Sequence, residues 1–240
     1  DALQEVRRAL LAAGWRDAND PRHGPDPRRV RAWNLRRGLI TSFVLERAVN
    51  PVLTNSVDIM KLDCAVMGYA AELLTEHRQR GGRLTLHVPL SYSSAATLHT
   101  REKVIGMAAQ VRDLLRTTVL IELVDLDPGV PPSRLIEVVA LLKPFCMGVL
   151  ARVRPTRAAL AAVKGCGLQG LVLDAHGLGR SAAETTTIMR AFVEAAHGEA
   201  QNLLVHGLSA KPMIDAAAAA GMTHASIRPA LHFETAIDAA

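Results

Sequence analysis

The stretch that decides the fold is an apolar run with one glutamate inside it, Thr117-Thr-Val-Leu-Ile-Glu-Leu-Val-Asp-Leu-Asp127. A short apolar run rich in β-branched residues, followed by the turn-forming segment Asp127-Pro-Gly-Val-Pro-Pro-Ser133, predicts a buried parallel strand. A carboxylate inside such a strand is costly to bury unless it is paired, hydrogen-bonded or bound to a cation. Glu122 is therefore a satisfied core glutamate, a residue facing a solvated barrel mouth, or the remnant of a metal site.

Strand and helix patterns alternate around this run, and the alternation is regular from Arg83 onward. Such a pattern predicts βα units around a parallel sheet. About eight strands in a chain of this length fit a closed α/β barrel, and an open doubly wound sheet is the alternative. Further strands are expected at residues 30–35, 39–45, 84–88, 147–153, 168–173, 202–205 and 223–227.

Helices are expected between these strands and at the start of the chain. Ser133, Thr156 and Ser181 are the candidate caps for three of them. The whole of residues 1–240 is interpreted as one barrel domain, with residues 1–28 forming a helix and a loop that pack on the barrel. The expected helices cover residues 2–13, 57–80, 99–115, 134–143, 156–164, 181–197 and 211–220.

Composition narrows the class of protein. The 240 residues are 49% hydrophobic, which is enough for one large core, and no apolar run reaches membrane-spanning length. No signal peptide is evident, and three cysteines without CxxC spacing favour a reducing compartment, so we expect a cytoplasmic protein. Because the chain starts at Asp1, it could also be the soluble domain of a membrane-anchored protein.

A local excess of arginine contributes to the net charge of +5. Basic clusters can bind nucleic acid, but no aromatic base-stacking pattern accompanies this one, so nucleic acid is not expected. A protein-binding patch is one interpretation, since arginine and tryptophan are frequent interface anchors. A solvated basic loop is the other. The candidate residues are Arg28, Arg29, Arg31 and Trp33.

In an α/β barrel, chemistry sits at the carboxyl ends of the strands. The residues expected there carry mixed charges and form no acidic cluster, and no glycine-rich phosphate loop follows any strand. For His206, a capping or hydrogen-bonded role is favoured over a catalytic one. These strand-end residues are Pro89, Ser91, Asp125, Asp127, Arg152, Arg154, Asp174, His176, His206, Ser209 and Arg228.

The order of short motifs resembles the EAL domain, the cyclic di-GMP phosphodiesterase family, over nearly the whole chain. That resemblance implies an α/β barrel, similar to a TIM barrel, whose first strand is antiparallel to the others. The family's Gly-aromatic-Glu-Ala-Leu-x-Arg strand resembles Thr41-Ser-Phe-Val-Leu-Glu-Arg47, in which Leu45 and Arg47 match. Its Glu-Ile-Thr-Glu strand resembles Glu122-Leu-Val-Asp125, and its Lys-Ile-Asp strand resembles Val172-Leu-Asp174.

The departures from the family pattern fall on its chemistry. By this resemblance Phe43 replaces a metal-binding glutamate, Pro89 replaces an asparagine, and Ala151 and Arg152 replace two aspartates. A single remaining carboxylate cannot hold Mg²⁺ in octahedral geometry, and a guanidinium would repel the ion. The resemblance therefore implies a degenerate domain with no hydrolase activity, no metal and no cofactor.

Three functions remain open. The first is a regulatory protein-interaction module in a bacterial signalling or polarity assembly, and the resemblance is also compatible with a homodimer. The second is a sensor that binds cyclic di-GMP or another anion without cleaving it, and the third, least favoured, is an active phosphodiesterase. Arg152 is expected either to pair with Glu122 or Asp174 or to create an anion site. The candidate ligand or vestigial residues are Arg47, Glu122, Arg152, Asp174 and His206.

Overall fold

The fold is known from a computed structural model that describes residues 28–46, 55–175 and 181–227, with only the backbone at residues 28 and 29. Within these ranges eight strands close into a barrel in chain order. The closed barrel confirms the expected α/β fold, and the open doubly wound sheet is wrong. The strands are β1 (Arg28–Asn34), β2 (Leu39–Glu46), β3 (Leu86–Ser91), β4 (Val119–Val124), β5 (Gly148–Arg152), β6 (Gly170–Asp174), β7 (Asn202–Leu208) and β8 (His224–Ile227).

The first strand has the opposite direction to the rest. β1 pairs antiparallel with both β2 and β8, while every other neighbouring pair is parallel. A four-residue turn ending at Gly38, whose φ of +65° is in the left-handed region, joins β1 to β2 as a hairpin. The expected antiparallel first strand is therefore confirmed.

Helices follow the parallel strands and cover the outside of the barrel. A single-turn 3₁₀ helix, Lys143–Phe145, precedes β5. The helices of the described residues are α1 (Ser56–Gln79), α2 (Tyr92–Ala96), α3 (Leu98–Gln110), α4 (Arg112–Thr118), α5 (Pro132–Leu142), α6 (Arg157–Val163), α7 (Ala182–Ala195) and α8 (Pro212–Ala219).

Several element boundaries differ from the sequence expectations. Ser133 is not a cap, because α5 begins one residue earlier with Pro132 at its first position, where proline's fixed φ suits a helix start. The expected helix 99–115 is divided at Val111, because the φ and ψ of this residue, −118° and 21°, are not helical. β7 continues past residue 205 and includes His206. Thr156 is confirmed as a cap by its bond to the Ala159 amide.

Strand alternation divides the apolar residues into two layers. The larger core lies between the strands and the helices, and it joins β-strand residues such as Ile121 and Leu173 to helix residues such as Val66 and Phe192. The alternate strand residues fill the barrel interior, which we call the lumen. Its apolar members are Val30, Ala32, Val44, Leu120, Leu150, Val172 and Leu204.

Some expectations fall outside the described residues. These are the helix 2–13, the packing of residues 1–28 on the barrel, and the positions of Arg47, His176 and Arg228. Among the helices that are described, none combines the length and the apolarity needed to cross a bilayer.

Candidate functional site

Five consecutive strands, β3 to β7, each place one ionisable side chain in the lumen. His87, Glu122, Arg152, Asp174 and His206 alternate along their strands with residues of the outer core, so they share the inner face. Their contacts with one another, given below, confirm that they converge. We call these five residues the lumen cluster.

Arg152 lies between the two carboxylates of the lumen cluster. Its Nε donates to Glu122 Oε1 at 2.6 Å, and its Nη1 donates to Asp174 Oδ2 at 3.2 Å. Burial by itself would lower the pKa of Arg152, but the charges of Glu122 and Asp174 outweigh it and raise the pKa, so the guanidinium stays charged. The expected pairing of Arg152 with Glu122 and Asp174 is confirmed.

Glu122 has 0% exposure, and its two oxygens have different surroundings. Oε1 accepts the Arg152 hydrogen bond, whereas Oε2 lies 3.4 Å from His206 Nδ1 without a hydrogen bond of adequate geometry. Since burial and the charge of Arg152 lower the pKa of His206 to about 3, the ring is neutral near pH 7 and this contact is not an ion pair.

His87 completes the deeper part of the cluster. It is 2% exposed, and its Nε2 shares a hydrogen bond of 3.0 Å with Ser42 Oγ on β2. The His87 and His206 ring centroids are 5.8 Å apart. Burial, and secondly His206, lower the pKa of His87 to about 3, so this ring is also neutral near pH 7.

Four nitrogen and oxygen atoms of this group are buried without a hydrogen-bond partner: His87 Nδ1, Glu122 Oε2, and His206 Nδ1 and Nε2. One ligand-type atom from each of the three residues lies within 4.8 Å of the others. Unpaired buried polar atoms are costly and uncommon, so a cluster of four calls for a ligand or water between them.

The mouth of the barrel next to this cluster is fixed by hydrogen bonds. Asp63 of α1 is 1% exposed and accepts the Ser91 amide at 3.1 Å, where β3 ends. Ser91 Oγ donates to Asp125 Oδ2 at 3.2 Å, and Asp125 has a φ of +57°, which is uncommon for a residue other than glycine. These bonds hold the ends of β3 and β4 in one arrangement.

Two positions interpreted as replaced metal ligands do not face the lumen. Phe43 packs against the outer core and Ala151 belongs to it, because the strand period places both on the helix-covered face. The lumen positions of β2 are instead Ser42 and Val44, with Glu46 next in the same alternation. Their replacement therefore says nothing about the lumen, and this part of the interpretation was wrong.

Pro89 and Arg152 do occupy lumen positions. Pro89 is buried and pairs in register with Glu122, and its ring offers no oxygen to a cation. The case against a magnesium or manganese site therefore depends on these two residues.

The predicted partner surface lies along β1, which spans the barrel from end to end. Arg28 pairs in register with Glu46 at the mouth, whereas Trp33 pairs with Ile40 at the opposite end. Arg31 is exposed and Trp33 is half-buried. The residues of the basic segment are therefore not one compact patch.

The hairpin between β1 and β2 exposes apolar residues that the sequence analysis did not single out. Leu39 is 49% exposed and Ile40 38%, and both follow the exposed Arg36 and Arg37. An arginine pair next to two exposed aliphatic residues has the mixed character of an interface. We call Arg36, Arg37, Leu39 and Ile40 the hairpin patch.

His87, Ser42 and Asp63 were missed as site residues. His87 and Ser42 lie inside apolar strands and belong to no motif of their own. The signal that could have found His87 is its alternation with Pro89, which had been assigned to a strand end facing the chemistry.

Comparison with solved structures defines the class of fold. The barrel is similar to the EAL domain of Xanthomonas citri FimX in complex with c-diGMP, with 14% identity, 94% of this chain and 90% of that chain covered, and a TM-score of 0.61. It is also similar to an EAL domain protein from Listeria monocytogenes EGD-e, with 14% identity, 84% and 86% coverage and a TM-score of 0.58.

A third similar structure is the EAL enzyme Bd1971 in its cGMP-bound form, with 12% identity, 83% of this chain covered and a TM-score of 0.60. The chain spans 60% of the length of that protein. No protein-family model and no curated protein matches the chain. The chain thus has the fold of EAL domains.

Proposed function

We propose that this chain is a catalytically inactive domain of EAL fold that works in bacterial signalling by binding another protein. The observation that carries the first part is the position of Arg152, which occupies both lumen carboxylates, Glu122 and Asp174. A fixed guanidinium between them prevents the two carboxylates from converging on a Mg²⁺ or Mn²⁺ ion, which would need both of them as oxygen ligands.

The residues present do not fit the two-cation site of a metal-dependent phosphodiesterase. Such a site needs several converging oxygen ligands. At the lumen positions beside Glu122 the strand register provides Pro89 on one side and Leu150 on the other, and neither side chain has an oxygen. Arg152 then adds positive charge 2.6 Å from the remaining carboxylate.

The hairpin patch supports a protein partner. It lies at the end of the barrel where β2 starts, opposite the strand ends that form the mouth, so a partner bound there would leave the lumen untouched. A specific interface buries about 800 Å² on each partner, which the hairpin patch could supply only together with its surroundings. The arginines favour a partner with an acidic surface.

A direct test of inactivity is incubation of cyclic di-GMP with the protein and Mg²⁺ or Mn²⁺. We expect no linear product, with Glu122→Ala indistinguishable from the wild type. Metal-dependent turnover that disappears in Glu122→Ala would show that the domain is an enzyme and would refute the first part of the proposal.

The proposed binding of another protein through the hairpin patch is tested by a pull-down from the native host with the variant Leu39→Ser/Ile40→Ser. We expect the wild type to retain specific proteins that this variant loses. The matched control is Ile136→Ser on α5, which removes a comparably exposed aliphatic residue outside the hairpin. Equal retention by both variants would exclude the hairpin patch as the binding surface.

The second candidate is a receptor that binds cyclic di-GMP without cleaving it. It is favoured by the fold similarity to the FimX EAL domain, which was solved in complex with c-diGMP. The charge of the lumen opposes it, since one guanidinium between two carboxylates leaves a formal excess of negative charge. Calorimetric titration with cyclic di-GMP distinguishes the two candidates, and tight binding would place the receptor first.

A further inference from the structure

We propose that the lumen holds one zinc-class metal ion bound by His87, Glu122 and His206. This goes beyond the proposed function and does not depend on it, because the site is separate from the hairpin patch and differs chemically from a magnesium or manganese site.

The first support is the set of unpaired atoms. His87 Nδ1, Glu122 Oε2 and both nitrogens of His206 are buried without a hydrogen bond, and the three residues are 2%, 0% and 4% exposed. Each residue therefore has a lone pair available, in a place where leaving it unused is costly.

The second support is the set of residues that orient these ligands. Ser42 Oγ bonds His87 Nε2 at 3.0 Å, which leaves Nδ1 as the ring nitrogen available to an ion. Arg152 holds Glu122 through Oε1 and leaves Oε2 free. His87 and Glu122 thus each have a hydrogen bond on the side away from the ion, as metal ligands in proteins usually do.

The ligand types select the class of metal. Two imidazole nitrogens and one carboxylate oxygen suit zinc and its neighbours better than Mg²⁺ or Ca²⁺, which prefer oxygen ligands.

The distances allow a tetrahedral site after small side-chain movements. Ligands about 2.0–2.1 Å from a tetrahedral ion lie about 3.3 Å from one another. Glu122 Oε2 and His206 Nδ1 are already 3.4 Å apart, and all three ligand atoms lie within 4.8 Å of one another. A water molecule would complete the tetrahedron.

The site is enclosed, because all three ligands are buried. A phosphodiester cannot reach an ion enclosed at this depth, so the proposal does not restore hydrolysis. Asp174 pairs with Arg152 and thereby offsets the cation nearest to the ion, so that Zn²⁺ and Glu122 leave a formal charge of only +1 in the site.

The test uses Zn²⁺ alone as the probe. Protein stripped with a chelator is titrated with Zn²⁺ against a chromophoric competitor, and Co²⁺ is added to a parallel sample to record its visible spectrum. We expect one tightly bound Zn²⁺ per chain and an intense Co²⁺ absorption typical of four ligands. Failure of the wild type to bind one equivalent would overturn the proposal and would assign the unpaired atoms to water.

Variants locate the ion. His87→Gln and His206→Gln are each expected to lower Zn²⁺ affinity by at least about 100-fold, and Ser42→Ala by about 10-fold, as is usual when an outer residue is lost. His224→Gln is the matched control, because this half-buried histidine forms hydrogen bonds with Thr223 and Asn34 and not with the lumen cluster. The Zn²⁺ affinity of this variant should equal that of the wild type.

If the glutamine variants do not fold, X-ray absorption of the Zn²⁺-loaded wild type gives the answer directly. Two imidazoles among nitrogen and oxygen neighbours are expected. A spectrum without imidazole scattering, or unchanged affinity in a folded His206→Gln variant, would show that Zn²⁺ binds elsewhere and would reject the site.

Discussion

Glu122 is buried within a strand, and Arg152 supplies the positive charge that offsets the cost of burying this carboxylate. Because the pair is enclosed on the Glu122 side, removal of the guanidinium leaves an uncompensated buried carboxylate. We expect Arg152→Met to lower the free energy of unfolding by about 2–4 kcal/mol, a range reduced because the Arg152 side chain is 30% exposed. Urea denaturation measures it.

The matched control is Arg154→Met, two residues further on and exposed, for which we expect a change within about 0.5 kcal/mol. Equal effects of the two substitutions would mean that Arg152 does not neutralise Glu122.

Two cysteines are protected by their surroundings. Burial raises the pKa of the Cys64 and Cys146 thiols to about 11 from an ordinary value of 9.0. Near pH 8 the thiolate fraction is therefore about 100-fold smaller than in the unfolded chain, and only the thiolate reacts. We expect iodoacetamide to label both cysteines at least about 100-fold more slowly in the native protein than in urea. Site-resolved mass spectrometry measures this, and native rates within tenfold of the unfolded rates would contradict it.

At the scale of secondary-structure elements, substitution of alanine at two glycines is expected to change the stability of the protein in opposite directions. Gly106 is exposed inside α3 with open space where a Cβ would lie, so Gly106→Ala should stabilise the protein by about 0.5–1 kcal/mol. Gly170 starts β6, and an added Cβ would lie 2.8 Å from Leu150 Cδ2 and 2.9 Å from the Asn202 carbonyl. Gly170→Ala should therefore destabilise by about 1–3 kcal/mol.

Thermal unfolding of the two glycine variants beside the wild type checks both signs in one experiment. If Gly170→Ala unfolds at the wild-type temperature, Leu150 and Asn202 can move enough to accept the added Cβ, and the expected destabilisation is contradicted.

The elements that could be predicted from the sequence are those with a strong local signal. The apolar run around Glu122, and the Pro and Gly residues that mark turns, predicted the strands, since both features depend on neighbouring residues alone. The inward face of β2 could not be predicted in this way. Phe43 and Ser42 differ by one residue, and only pairing with β1 and β3 decides which of them faces the lumen.

For the whole molecule, the candidate site is a product of barrel closure. Arg152, Asp174 and His206 were predicted because each stands near the end of an expected strand, and Glu122 because it is a carboxylate inside an apolar strand. His87 was missed, although its alternation with Pro89 marks the inner face of β3. Its contact with His206 could not be predicted, because β3 and β7 are far apart in sequence and meet only across the closed barrel. The exposed Leu39 and Ile40 likewise become a surface only when the hairpin forms.

Closure also makes the stability of the barrel sensitive to acid. Burial and the neighbouring charges lower the pKa values of His87 and His206 to about 3, while the unfolded chain titrates near 6.5. Glu122, Arg152, Asp174 and His224 are the charged and titratable groups that act on these two rings. Between these pH values the unfolded state binds more protons than the native state, so stability is fully present above pH 6.5 and is lost as the pH falls.

Each histidine contributes a slope that approaches about 1.4 kcal/mol per pH unit, so the two together give about 2.4 kcal/mol between pH 6 and pH 5, above the range in which most carboxylates titrate. Urea unfolding at a series of pH values, with a chelator present to keep the protein metal-free, measures the slope. Replacing both histidines with glutamine should remove most of it. NMR titration of the wild-type rings is the independent check, since a ring that titrates near pH 6.5 in the folded protein would show that His87 and His206 are not held neutral inside the barrel.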